Sequence, residues 1–330
     1  MPPQSPIRIG ILGAAAIVPA ALTGPARSVP EVQVTAIAAR DPKRARAFAK
    51  KHGIRRVHET YAGLLADPEI DAIYNPLPNS LHAEWTIRAL RAGKHVLCEK
   101  PFASNAAQAE QMAEAAKESG RVLREGFAYR HHPIAARMKS IMAGGELGAI
   151  RRIEAQFCFL LPQPGNIRFQ YHLAGGALMD AGCYPVSLIR FLAEAQPLVT
   201  RAKARLLRPQ VDSRMEAALN FADGRTAQLV CDMLSPAVFR SFVRVQGDAG
   251  ELRVFNPFHP HWFNLLEIRN GRGTHREHIG GENIYICQLQ AFARAIRGEV
   301  KLSTDPADAI GNMRLIDAIY DKAGLKRRGT

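Results

Sequence analysis

The chain runs to 330 residues, 47% of them apolar, with 26 glycines and 21 prolines, which suits a globular protein of two domains. Lys and Arg number 44 against 30 Asp and Glu, a formal net charge of +14, yet outside Lys326-Arg327-Arg328 they are scattered, with no nucleic-acid motif or aromatic-interleaved stripe. This argues against a nucleic-acid partner and leaves solubility and attraction for anionic ligands, such as a phosphorylated cofactor.

Five cysteines without CxxC spacing suit free thiols in a reducing compartment better than a disulfide framework. Pro2 to Pro6 reads as a leader, and Ile7 to Leu12 as an apolar strand ending at Gly13. The uncharged run Ile9 to Ala26 follows Arg8 but is broken by Gly10, Gly13, Pro19 and Pro25. It therefore reads as strand, turn and helix start, not as an export signal or membrane span. A cytoplasmic location with no membrane partner is expected. The same stretch outlines a dinucleotide-binding turn, whose strict form carries three glycines; here those positions hold Gly13, Ala15 and Val18. Taken alone, it reads as readily as a buried hairpin.

A second strand, Val32 to Ala38, leads into Ala39-Arg40-Asp41-Pro42. At the end of such a strand an acidic residue binds the ribose 2′-hydroxyl, whereas an arginine accommodates a 2′-phosphate. Ala39 holds the acidic position and Arg40 follows, so NADP is expected, with NAD possible. Asp41-Pro42 also reads as the N-cap and first position of a helix. The strand Ile70 to Tyr74 ends in N-P-L-P-N-S-L-H, Asn75 to His82, where Asn79 or Ser80 is expected to cap the next helix. His95 to Cys98 then run into E-K-P, Glu99 to Pro101, and proline stops the strand. Ser104 is expected to cap a helix with Ala109, Met112, Ala113 and Ala116 on one face, ended by Gly120. Val122 and Leu123 form a last strand before Tyr129 and Arg130.

Gly13, Arg40, the proline loop, Lys100, and Tyr129 with Arg130 each fall just past a predicted strand end, the edge where ligands of a parallel α/β sheet bind. Residues 1–127 are thus expected to form a dinucleotide-binding Rossmann domain with a parallel sheet. From 128 to 330, short strands separated by turns such as Asp223-Gly224 and Gly247-Asp248 predict a substrate-binding and oligomerisation α+β domain with a mainly antiparallel open sheet. Asp305-Pro306 opens its last long helix. Within this half, A-G-G-A-L-M-D-A-G-C-Y-P-V sets Asp180 and Tyr184 four residues apart, on one helix face. A tyrosine beside a lysine cation can work as an acid or base, since the cation favours the phenolate. A buried tyrosine on an amphipathic helix is the other reading. Arg168, in N-I-R-F-Q-Y, either lines the substrate pocket or belongs to a polar surface turn. His131-His132, His259-x-His261 and His275-x-x-His278 lack a third ligand in register, so no metal is expected.

The turn at Gly13, the loop P-L-P-N-S-L-H, E-K-P and G-G-A-L-M-D-A-G-C-Y, in that order along nearly the whole chain, resemble the glucose–fructose oxidoreductase / inositol dehydrogenase / MocA family. The resemblance implies an NAD(P)-dependent dehydrogenase or reductase that moves hydride between nicotinamide and a hydroxyl-bearing carbon of a sugar, polyol or cyclic diol. It implies that Lys100 touches nicotinamide and the reacting hydroxyl, that the Lys100–Pro101 bond is often cis, that Asp180 orients substrate, and that Tyr184 relays the proton. A tyrosine there, where inositol dehydrogenases carry histidine, resembles the xylose and dihydrodiol dehydrogenase branch. The cofactor is expected to meet Gly13, Ala15, Ile17, Arg40, Pro78, Asn79, His82, Glu99, Lys100 and Arg130, and the substrate Lys100, Arg168, Asp180 and Tyr184. The alternative is a non-catalytic dinucleotide- or sugar-binding sensor on the same fold. A homodimer or homotetramer is expected, because the open face of the second sheet needs covering.

Overall fold

In the computed structural model, which describes residues 5–163, 165–301 and 303–330, six short strands build one parallel sheet. Residues 2–4 of the expected leader lie outside the described residues. The strands are Ile7–Leu12 (β1), Val32–Ala38 (β2), Arg56–His58 (β3), Ala72–Asn75 (β4), His95–Cys98 (β5) and Leu123–Glu125 (β6). Their order is β3-β2-β1-β4-β5-β6, every neighbour parallel. The central strands are almost continuously buried, as a parallel sheet covered on both faces requires. Pro42–His52 (α1), Tyr61–Ala66 (α2), His82–Arg91 (α3) and Ala106–Ser119 (α4) connect them.

The helix caps match the sequence expectation only in part. Asp41 caps α1 by accepting from the Lys43 N–H at 2.9 Å, with Pro42 in the first turn. The cap of α4 is Asn105, one residue past the expected Ser104; its side chain accepts from the Gln108 N–H at 3.0 Å. Neither Asn79 nor Ser80 caps α3, because Asn79–Leu81 form a 3₁₀ turn that runs straight into it. The expected helix start after Gly13 is instead a π-helical turn, Pro19–Thr23, and a 3₁₀ turn, Pro25–Ser28. Each begins at a proline, which has no N–H to carry a preceding helix onward.

One core cluster joins Ile9, Ile11, Val18 and Ile37 with Leu289, Phe292 and Ala293. The last three sit at i, i+3 and i+4 on the helix Ile284–Ile296, and full burial of such side chains contributes about 1.5–3 kcal/mol each for the leucine and phenylalanine. This stripe is why Tyr285–Ile310 return to the first unit, which otherwise ends at Ala128. The expectation of a second domain unbroken from 128 to 330 did not include that return.

The second unit comprises Tyr129–Ile284 and Gly311–Thr330. Its elements are Pro133–Ala143 (α5), Ile150–Leu160 (β7), Cys183–Ala193 (α6), Leu198–Arg208 (β8), Val211–Asn220 (β9), Thr226–Asp232 (β10), Leu234–Gly247 (β11), Gly250–Phe255 (β12), Leu265–Asn270 (β13) and Gly273–Glu277 (β14). They are followed by Ile284–Ile296 (α7) and Pro306–Lys322 (α8), the latter opened by Asp305, whose side chain accepts from the Asp308 N–H. The sheet order is β14-β13-β12-β11-β7-β10-β9-β8, antiparallel except for β7 beside β10. The helix α6 packs on β7 and β10. On the opposite face Glu251 pairs with Arg244 and Arg253, and Glu267 with Arg269 and Arg276. Among the described residues no helix is long and apolar enough to cross a membrane.

Candidate active site

The first sheet reverses its order between β1 and β4, the switch point outside which open α/β sheets bind ligands. Gly13 leaves β1 at φ +86°, and its N–H donates to the Ala38 carbonyl at 2.7 Å. A Cβ there would stand 3.0 Å from Leu77 Cδ2, so glycine lets the turn close against the proline loop. Ala15 and Ile17 are half-buried, while Val18, at the third glycine position, is fully buried as core. Arg40 is exposed past β2, and its backbone N–H bonds the Tyr61 hydroxyl. That hydroxyl would lie 3.8 Å from a Cβ on Gly13, so the two strand ends stand close together. Arg44 Nη2 donates to the Ala14 carbonyl at 3.0 Å. A tight glycine turn edged by two guanidinium groups fits a phosphorylated dinucleotide.

Past β4, Pro78 and Asn79 are half-exposed, but His82 is 1% exposed. Its Nδ1 lies 2.8 Å from the Pro101 carbonyl and its Nε2 2.8 Å from the Leu77 carbonyl. Burial lowers its pKa to about 4, against the pull of those carbonyls. The neutral ring has one N–H to donate to one of these carbonyls, and its place between them joins the proline loop to the E-K-P turn. The Lys100–Pro101 bond is cis. Glu99 Oε1 accepts from the Tyr74 hydroxyl at 2.7 Å, and Glu125 Oε1 from the Phe102 N–H at 2.9 Å, so both sides of Lys100 are fixed. Tyr285, on α7, also feels Glu99 and Lys100; burial first, then the Glu99 charge, push its pKa up to about 12. Sequence reasoning missed it, although Leu289, Phe292 and Ile296 carry a helical period.

In the second unit the expected single helix is split. Leu178–Gly182 form a π-helical turn, and α6 begins only at Cys183. The wider turn carries Asp180, so its relation to Tyr184 is not that of an α-helical i, i+4 pair. Asp180 is 15% exposed by side chain, with Oδ1 at 2.9 Å from Arg168 Nε. Asp180 first, and Tyr184 with it, raise the Arg168 pKa, which places all three in one electrostatic neighbourhood. Arg168 thus sits exposed on the turn Ile167–Phe169 and at the same time pairs with Asp180. The Tyr184 ring lies 5.1 Å from Phe157, 5.3 Å from Phe258 and 6.0 Å from His259 by centroid, and His259 stacks on Trp262 at 4.7 Å. Sequence reasoning weighed His259 as a metal ligand and its loop as shaping the pocket; the aromatic density of F-H-P-H-W-F was the signal it passed over. Arg130 donates through Nη1 to Ser187 Oγ at 3.2 Å and lies 3.9 Å from the Phe191 ring, both on α6. Among the described residues no group of three or more His, Cys, Asp or Glu is placed to hold a metal ion.

Residues 7–127 match an oxidoreductase family with an NAD-binding Rossmann fold, and residues 135–253 match the GFO/IDH/MocA C-terminal domain. The D-xylose 1-dehydrogenase (NADP(+)) 2 of Haloferax volcanii is 36% identical over 318 residues, 95% of this chain and 96% of its own. The trans-1,2-dihydrobenzene-1,2-diol dehydrogenase of Xenopus tropicalis is 27% identical over 311 residues, 88% of each chain. The crystal structure of KijD10, a 3-ketoreductase from Actinomadura kijaniata in complex with NADP and TDP-benzene, superposes with a TM-score of 0.89 at 32% identity, over 96% of this chain and 98% of that one.

Proposed function

The chain belongs to the GFO/IDH/MocA oxidoreductase family, and we propose that it moves hydride between NADP and a hydroxyl-bearing carbon of a sugar, polyol or cyclic diol. Membership makes it an NAD(P)-dependent dehydrogenase or reductase acting on CH–OH groups. The observation that carries the finer reading is Tyr184 standing beside the Arg168–Asp180 pair within an aromatic wall.

NADP, when bound, accepts or supplies the hydride. Gly13 and Ala15 leave the backbone of the first turn open to a pyrophosphate, and Arg40 meets the 2′-phosphate with charge-assisted hydrogen bonds. Ile17, Pro78 and Asn79 complete the cofactor's surroundings, with Glu99 holding the backbone from which Lys100 projects. Tyr184 takes the hydroxyl proton as general base and returns it in the reverse direction. Lys100 orients the oxygen and stabilises the charge that develops on it. Arg168 pairs with one oxygen of Asp180, and the carboxylate accepts from a neighbouring substrate hydroxyl. A homodimer or homotetramer and a cytoplasmic location belong to the same reading. Five cysteines that form no disulfide with one another support the second.

Lys100→Met and Tyr184→Phe test the assignment. Each should retain NADP binding, and Tyr184→Phe should lower kcat by ~10²–10⁴-fold, the usual worth of general acid–base catalysis. The two losses should not multiply in the double variant, because the groups act on one oxygen. Full activity of Tyr184→Phe on the true substrate would move the proton relay elsewhere.

A further inference from the structure

The basic tail Lys326-Arg327-Arg328 does not behave as one charged run. Arg327 is exposed and pairs with Asp321, whereas Arg328 is 0% exposed. A buried guanidinium persists only with partners, and each of the three Arg328 nitrogens has one. Its Nε donates to the Gly175 carbonyl at 2.7 Å, Nη1 to the Lys326 carbonyl at 2.9 Å, and Nη2 to Asp212 Oδ1 at 2.8 Å. The guanidinium also lies 4.0 Å from the Tyr320 ring centroid. Asp212, itself 0% exposed, accepts from the Tyr320 hydroxyl at 3.0 Å and, through Oδ2, from the Leu178 N–H at 2.7 Å.

Gly175 and Leu178 bracket the entry to the π-helical turn that carries Asp180. Between them Gly176 sits at φ +139°, and a Cβ on it would collide with Asp212 Oδ1. Only glycine lets the buried pair close on this backbone. The Gly176 N–H in turn donates to the Arg168 carbonyl at 2.8 Å, and its carbonyl accepts from the Asp180 N–H at 3.0 Å. The Arg168 and Asp180 side chains then meet at 2.9 Å. Buried ion pairs add little stability over apolar replacements, but a planar fork of donors fixes several acceptors at once, which an ammonium cannot do.

We infer that Arg328 is a positioning residue for the site: with Asp212 it fixes the backbone from Gly175 to Leu178 and thereby sets where Asp180 and Arg168 stand beside Tyr184. The inference rests on the functional reading above. Its test uses full-length Arg328→Ala and Arg328→Lys, with melting temperature, NADP affinity, kcat and KM measured for each. Arg328→Ala should stay folded at the assay temperature and bind NADP as before, while kcat falls by about tenfold to a hundredfold, the scale expected when a distant change misplaces reacting groups. Guanidinium ion, below concentrations that unfold the protein, should restore turnover to Arg328→Ala, and Arg328→Lys should stay impaired. A folded Arg328→Ala with unchanged kcat, or a loss that tracks the unfolded fraction and resists guanidinium, would overturn the inference. Should Arg328→Ala fail to fold, Tyr320→Phe removes one hydrogen bond to Asp212. It should lower kcat several-fold at unchanged NADP affinity, and an unaltered kcat would refute the positioning role. Tyr184→Phe separates the two readings: inactive Tyr184→Phe beside fully active Arg328→Ala defeats this inference alone, whereas active Tyr184→Phe defeats the site assignment.

Discussion

A guanidinium discriminates between cofactors only where it stands in the open at the right strand end, and Arg40 does so just past β2. Arg40→Ala should weaken NADP by roughly tenfold to a hundredfold, from ~1.5–3 kcal/mol for a charge-assisted hydrogen bond, and leave NAD nearly unchanged. Calorimetric titration of both cofactors checks this, and an equal loss for the two would mean that Arg40 does not read the phosphate. Arg40 was legible in the sequence because strand, chain end and residue type are all local features. Arg168 was not, since whether it is a pocket residue or a turn residue depends on Asp180, brought to it by the fold. His82 was legible as part of a motif, but its burial between the Pro101 and Leu77 carbonyls was not. Arg328 lay furthest out of reach: its partner Gly175 is 153 residues away, and a charged tail reads as solvated until that pairing is seen.

At the scale of elements, period and capping chemistry carried five strands of the first sheet and the start of α1 and α8, whereas the three-residue β3 was not read. The π-helical turn at Leu178–Gly182 was beyond them, because L-M-D-A-G has an ordinary helical composition. The last two strands, β13 and the edge strand β14, were also missed; G-T-H-R-E has no apolar alternation, and it is held by pairing with β13 and by Glu267 beside Arg276. That same sheet presents a face of paired arginines and glutamates around Phe255 and Leu265, which stand in register at 46% and 37% exposure. A face with both charge signs and an apolar centre suits a second copy of itself. Light scattering at micromolar concentration should report a dimer or tetramer, and Phe255→Glu should lower the mass toward the monomer. A clean monomer for the unaltered protein would contradict this.

For the whole molecule, the alternation of strands and helices followed by a run of strands was enough to place a parallel sheet before a mainly antiparallel one, and both are present. The return of Tyr285–Ile310 to the first unit was not read, because the stripe Leu289, Phe292, Ala293 says only that a helix is half-buried, not which sheet it covers. On the proposed reading, this fold performs NADP-linked hydride transfer and does not merely bind dinucleotide. The most direct test is to incubate purified protein with NADP and, separately, NAD, against a panel of aldoses, inositols and cyclic dihydrodiols, and to follow reduced nicotinamide by absorbance. Turnover of at least one of these alcohols is expected, faster with NADP than with NAD. Tight NADP binding with no turnover of any of them would contradict it and leave a dinucleotide-binding sensor in its place.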